Sequence, residues 1–112
     1  MADLPNIDIK PAHWNIVAGI LQKHIPQYGV CAFGSRAKWT AKKYSDLDIA
    51  VISEKPLSLQ IIASLSDDFA ESDLPFKVDI VDWATTGEAF RKIIEKEKVF
   101  IQGVPAAIKI TA

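Results

Sequence analysis

Residues 33–52, FGSRAKWTAKKYSDLDIAVI, are the stretch on which the reading of this chain turns. They begin where the apolar run Tyr28-Gly29-Val30-Cys31-Ala32-Phe33 gives way to Gly34-Ser35, and they close on Asp46-Leu47-Asp48-Ile49-Ala50-Val51-Ile52. The first run has the length and apolar character of a buried strand. Asp46 to Ser53 has the β-branched content of a second. The polar segment between them, Arg36 to Ser45, reads as a short helix with its N-terminus at Ser35, followed by loop. Strand geometry puts Asp46 and Asp48 on one face, with Cα atoms roughly 6.5 to 7 Å apart. Two like charges that close raise each other's pKa unless a cation lies between them.

Outward from this stretch, helices alternate with short strands. Pro11 suits a first helical turn, and Trp14, Val17, Leu21 and Ile25 recur at helical spacing until Pro26 ends the pattern. Met1 to Lys10 reads as irregular chain. Downstream, Pro56 and Ser58 open a helix whose apolar stripe is Leu57, Ile61, Ile62, Leu65 and Phe69. Lys77-Val78-Asp79-Ile80-Val81 forms a third strand after Leu74-Pro75, and Asp82 falls at its exit as a turn residue. A last helix, capped by Thr86, carries Phe90, Ile93 and Ile94 inward and runs to Gly103-Val104-Pro105. The tail from Ala106 reads either as a short strand or as disorder. Such an order predicts an α/β sandwich with a three- or four-stranded sheet.

Bulk properties limit what the chain does. Its 112 residues suit a single domain with one core. Thirteen Lys and Arg against fourteen Asp and Glu leave a net charge of -1, which argues against nucleic-acid binding by bulk charge. No apolar run approaches the roughly 20 residues that span a bilayer, and no signal-peptide core opens the chain. The single cysteine, Cys31, sits between Val30 and Ala32 and reads as a buried, inert thiol in a reducing cytoplasm. His13 and His24 have no spaced Cys or His companion, which argues against zinc. His24 lies where a helix dipole favours the protonated ring.

Carboxylates are the residues a core strand does not need. Asp79, flanked by Val78 and Ile80, is a third acid. If its strand neighbours that of Asp46 and Asp48 in register, the three converge near one edge of the sheet. Hard oxygen donors of this kind suit Mg²⁺, which shares its shell with water and substrate phosphates. Gly34-Ser35, ending a strand and opening a helix, adds free N–H groups and a hydroxyl where a phosphate can approach the backbone. No Walker A motif occurs. Phosphate cradle and carboxylates together describe a site for a nucleoside triphosphate with its metal.

These residues resemble a known family. Gly34-Ser35, ten residues, then Asp46-Leu47-Asp48 resembles the G-S-x10-D-x-D signature of the nucleotidyltransferase superfamily that includes DNA polymerase beta. Asp79, inside KVDIV, stands where that superfamily carries its third acid. The longer stretch is similar to the minimal nucleotidyltransferases of bacteria and archaea, often encoded beside a helical HEPN-domain partner, and the similarity covers about residues 11–102. The resemblance implies one nucleotidyltransferase domain over 1–112, with a tail at 103–112. It implies a small mixed sheet with helices packed mainly on one face. Asp46, Asp48 and Asp79 would bind two Mg²⁺ ions as the catalytic set. Gly34 and Ser35 would hold the β and γ phosphates of ATP, with Arg36 and Ser45 completing the nucleotide-binding group. An acceptor hydroxyl would attack the α-phosphorus in line and release pyrophosphate.

Similar minimal proteins act as cytoplasmic antitoxins that place AMP on a tyrosine of their HEPN partner, and a hetero-oligomer with such a partner is expected. Other readings stay open: the catalytic or nucleotide-binding subunit of a two-protein transferase acting on a small molecule or RNA, or a non-catalytic module that neutralises its partner by contact. Individual side chains have plainer alternatives. Arg36 reads as a triphosphate contact or as a solvated helix residue. Lys42 and Lys43 read as counter-charges for phosphate or an acidic partner, or as solvated loop. Trp39 reads as packed under the loop or stacked on a base. Glu88, Glu95 and Glu97 interleave with Arg91, Lys92, Lys96 and Lys98 as a solvated helix face.

Overall fold

The described residues of the computed structural model are 4–103, so the readings of the tail beyond Gly103 lie outside them. Along the chain run α1 (Pro11–His24), β1 (Gly29–Phe33), α2 (Ser35–Lys38), β2 (Leu47–Ile52), α3 (Leu59–Glu71), β3 (Val78–Asp82), a 3₁₀ turn (Trp83–Thr85), α4 (Glu88–Glu97) and β4 (Val99–Gln102). Pro11 opens α1. The Ser58 hydroxyl caps α3 by accepting from the Ile61 N–H. Asp82 closes β3, and its carboxylate accepts from the Ala84 N–H of the 3₁₀ turn and from the Leu57 N–H at the approach to α3.

The sheet order is β3-β2-β1-β4. β1 pairs antiparallel with both β2 and β4, and β2 pairs parallel with β3, so the sheet is mixed. One face carries Val30, Ala32, Leu47, Ile49, Val51 and Ile101 against Trp14, Val17, Leu21, Leu65 and Phe69 of α1 and α3. Full burial of each aliphatic side chain there contributes about 1.5–3 kcal/mol. The other face is thinner: Cys31, Phe33 and Ala50 pack under Ile94 of α4, with Trp83 and Phe100 beside them. His24 Nε2 lies 2.8 Å from Asp68, a tie between α1 and α3 that no helix-end argument anticipates. No helix among the described residues is long and apolar enough to cross a membrane.

Two expectations are corrected. The last helix does not reach Gly103. It ends at Glu97, Lys98 turns the backbone extended, and Val99–Gln102 forms an edge strand on β1. The Glu/Lys alternation hides a run, Val-Phe-Ile, whose β-branched and aromatic residues favour a strand. Gly103, at φ +83°, allows the chain to pass Gly29, where a Cβ would lie 2.6 Å from the Gly29 Cα. Second, Gly87 and not Thr86 is the N-cap of α4, and only Ile94 of its apolar residues is buried, Phe90 and Ile93 being exposed. The described part of the N-terminal segment is irregular, as expected, yet packed: Ile7 and Ile9 are core residues, and Asp8 N–H donates to the Arg36 carbonyl at 2.8 Å.

Candidate active site

Antiparallel pairing brings the end of β1 to the start of β2, with Phe33 opposite Asp48. Gly34 follows with φ 75° and ψ -158°, a conformation that L side chains rarely adopt. A Cβ at this position would collide with the Asp48 carboxylate. The glycine is therefore needed twice, for its backbone conformation and for its missing side chain, and Asp48 lies directly over the Gly34-Ser35 turn. Trp39 ends α2 with φ 60° in the left-handed region, and its ring is exposed rather than packed under the loop.

β3 then adds the third acid. It runs parallel to β2 with Asp48 opposite Asp79, so the two carboxylates share a face on neighbouring strands about 4.8 Å apart. Asp46, two residues before Asp48, precedes the same strand. Asp46 and Asp79 are exposed and Asp48 is half-buried. Burial pushes the Asp48 carboxyl up from 3.8 to about 6, helped by the charges of Asp79 and Asp46, by a hydrogen bond with Asp79 and by the charge of Glu97. Such a cluster favours either a shared proton or a bound cation. An open cleft of about 580 Å³ is lined by Tyr44, Asp46, Phe76, Lys77 and Asp79. A larger cavity, about 1080 Å³, lies around Ile52, Trp83 and Arg91 and includes none of these acids. Asp46 and Asp79 thus line the smaller of these two openings.

Arg36 is corrected most sharply. It is 5% exposed. Its guanidinium donates to the carbonyls of Ser45 at 3.0 Å, Asp8 at 2.8 Å and Lys43 at 3.3 Å, and it stacks on Phe76. Burial lowers its pKa, opposed by Asp8 and Asp46. Buried rather than solvated, it staples the loop that leads into Asp46. Ser45 serves the same loop: its hydroxyl accepts from the Lys42 N–H at 2.8 Å. Lys42 and Lys43 are exposed loop residues.

Glu97 is the residue sequence reasoning missed. It is not on a solvated face, because Gly34 N–H donates to its carboxylate at 3.0 Å and Lys38 lies 3.4 Å from it. Only the pairing of β4 with β1 reveals this, and that strand was itself hidden.

Comparison with known proteins agrees with this geometry. A family model described as Polymerase beta, Nucleotidyltransferase matches residues 15–103. The chain is 54% identical over 102 residues to the probable protein adenylyltransferase MntA of Haemophilus influenzae, covering 91% of this chain and 90% of that protein. Among solved structures, a toxin–antitoxin crystal structure with AMP-PNP is similar at a TM-score of 0.73 and 24% identity, over 87% of this chain and 78% of that one. The Shewanella oneidensis complex of a tri-AMPylated HEPN toxin with an MNT antitoxin is similar at 0.69 and 21% identity, over 91% and 79%. At those identities the two structures speak to the fold.

Proposed function

Since the chain belongs to the polymerase beta nucleotidyltransferase family, we propose that it transfers AMP from ATP to a hydroxyl of a helical HEPN partner and so acts as the antitoxin of a toxin–antitoxin pair. The observation that carries this reading is the opposition of Asp48 and Asp79 on adjacent strands beside a turn where a Cβ at Gly34 would strike the Asp48 carboxylate. A relative more than half identical over nearly the whole chain, named for protein adenylylation, supports the choice of acceptor and nucleotide. A soluble place in the cytoplasm suits a buried free thiol and an ATP-dependent reaction.

Asp46, Asp48 and Asp79 would hold Mg²⁺. Hard carboxylate oxygens fit that ion, and burial together with the neighbouring charges of Asp79 and Asp46 raises the Asp48 pKa, a cost that a bound cation would offset. Among the described residues no group of three or more His, Cys, Asp or Glu side chains is arranged to hold a metal ion by itself, these three acids included. Mg²⁺ is commonly held by one or two carboxylates, with water and substrate phosphates completing its shell. Bound there, Mg²⁺ supplies positive charge for the phosphates and the leaving oxygen.

The chain's own groups do the rest. The Gly34-Ser35 turn offers a backbone N–H and a hydroxyl to the triphosphate tail, and the missing Cβ at Gly34 leaves room for the Asp48 carboxylate beside the turn. Arg36 and Ser45 position the loop before Asp46 through their hydrogen bonds within it. The acceptor oxygen forms a bond to the α-phosphorus, the bond to the bridging oxygen breaks, pyrophosphate leaves, and the acceptor proton passes to solvent or a carboxylate. Holding nucleophile and phosphorus in line, together with stabilisation of the developing charge, accounts for most of the acceleration such a site provides. The acceptor comes from the partner, and the whole chain acts as one nucleotidyltransferase domain.

The test is to co-purify the chain with its partner and incubate the complex with ATP labelled at the α-phosphate and Mg²⁺. Label on the partner is expected. The double variant Asp46→Asn, Asp48→Asn should form the complex and leave the partner unlabelled. A partner that stays unlabelled with every nucleotide and metal, or that is controlled equally well by the double variant, would overturn transfer in favour of neutralisation by contact.

A further inference from the structure

Glu97 ends α4, where the negative end of the helix dipole opposes an acidic side chain. Nothing in the helix therefore explains its inward orientation. Its position comes from elsewhere in the fold. β4 runs antiparallel to β1 with Val99 opposite Ala32, which delivers the junction of α4 and β4 to the Gly34-Ser35 turn. There one carboxylate oxygen of Glu97 accepts from the Gly34 N–H at 3.0 Å. The other meets the Lys38 ammonium at 3.4 Å, with the Glu97 side chain 19% exposed and that of Lys38 50% exposed. An anion from the protein itself thus sits on the turn, bridging its amide to the nearest cation.

A triphosphate tail placed on the same turn needs the same N–H. One donor does not serve two anions well, and their mutual repulsion in a partly buried site adds to the conflict. We propose that Glu97 is an internal competitor for the triphosphate, holding the Gly34 N–H until a nucleotide displaces it and exposes Lys38 to the incoming phosphates. This rests on the reading of Gly34-Ser35 as the phosphate-binding turn. Among the described residues two polar contacts hold the Glu97 carboxylate, and its neighbour Lys98 already lies outside the helix. The work of vacating the turn then sets the nucleotide concentration to which the protein responds, and it falls on the phosphates, not on the base.

Binding of Mg²⁺-ATP, Mg²⁺-GTP and Mg²⁺-tripolyphosphate to the full chain, measured by calorimetry, tests this. Glu97→Ala should bind all three about fivefold tighter or more, and by a similar factor for each. Glu97→Gln keeps an acceptor on the Gly34 N–H but no charge, and should fall between Ala and wild type. A residue that merely braces the turn would give the opposite sign, with weaker binding in both variants. Equal or weaker affinity in variants that melt as wild type does would overturn the proposal. If Glu97→Ala fails to fold, the isosteric Gln variant carries the decision. Wild-type protein that binds none of the three would remove the phosphate-binding reading itself, whereas wild-type binding without gain in the variants removes only the role of Glu97.

Discussion

Replacing Asp48 by asparagine should stabilise the metal-free protein. The folded chain raises the Asp48 carboxyl from 3.8 to about 6, first through burial and then through Asp79 and Asp46. A folded-state value above the unfolded one means that the ionised group costs stability. The cost is absent below about pH 3.8, grows as pH rises toward about 6, and is complete above it. That difference corresponds to a ceiling of about 3 kcal/mol. Asp48 is only half-buried, and solvent screening reduces the expected cost to about 1–2 kcal/mol. Asparagine removes the charge and can donate to Asp79, so Tm at pH 7.5 should rise by about 4–8 °C. Thermal melts by circular dichroism in chelator, from pH 4 to pH 8, read the difference between wild type and variant. It should be near zero at the acid end and full near neutrality. Adding Mg²⁺ and ATP should stabilise wild type and not the variant, reducing or reversing the gap. A variant less stable than wild type at pH 7.5, or a gap that ignores pH, would show that Asp48 is a structural acceptor and refute the electrostatic account.

Other substitutions probe the surrounding frame. Gly34→Ala meets both a positive φ and the Asp48 carboxylate, and should cost about 1–3 kcal/mol in chemical denaturation and abolish ATP binding. Wild-type affinity in that variant would refute the placement of phosphate on the turn. Arg36→Met removes three bonds to backbone carbonyls and should destabilise by about 2–4 kcal/mol in urea melts, with faster tryptic cleavage at Lys42 and Lys43. Cys31, buried and pushed up to about 11 by burial, should resist iodoacetamide at pH 8 in the native protein and react fully once unfolded.

Much of this protein can be read along the chain because its chemistry is written in short-range patterns. Gly34-Ser35 and Asp46-Leu47-Asp48 lie within one strand–helix–loop–strand segment, and period-two geometry alone sets the two aspartates on one face. The stripes of α1 and α3 follow from helical spacing, since those helices cover a face that must be dry. Where local signals conflicted, the reading failed. Val99–Gln102 follows directly on a charged helical pattern that masks its β-branched and aromatic residues, and it pairs as a strand on the edge of β1. Arg36 carries the composition of a surface residue, and its burial depends on three carbonyls supplied by separate segments.

The amino-acid order thus determined which residue types were present for phosphate and metal chemistry, and at what spacing along the chain. Tertiary structure alone decided that Asp79 stands opposite Asp48, that Asp48 is desolvated against Gly34, and that Glu97 reaches the same turn. Strand order and register are set by the sum of many weak contacts across the whole core, and no window of sequence contains that sum. Charges distant along the chain become neighbours only when it is satisfied, and their interaction then falls off with distance in space rather than with separation in sequence.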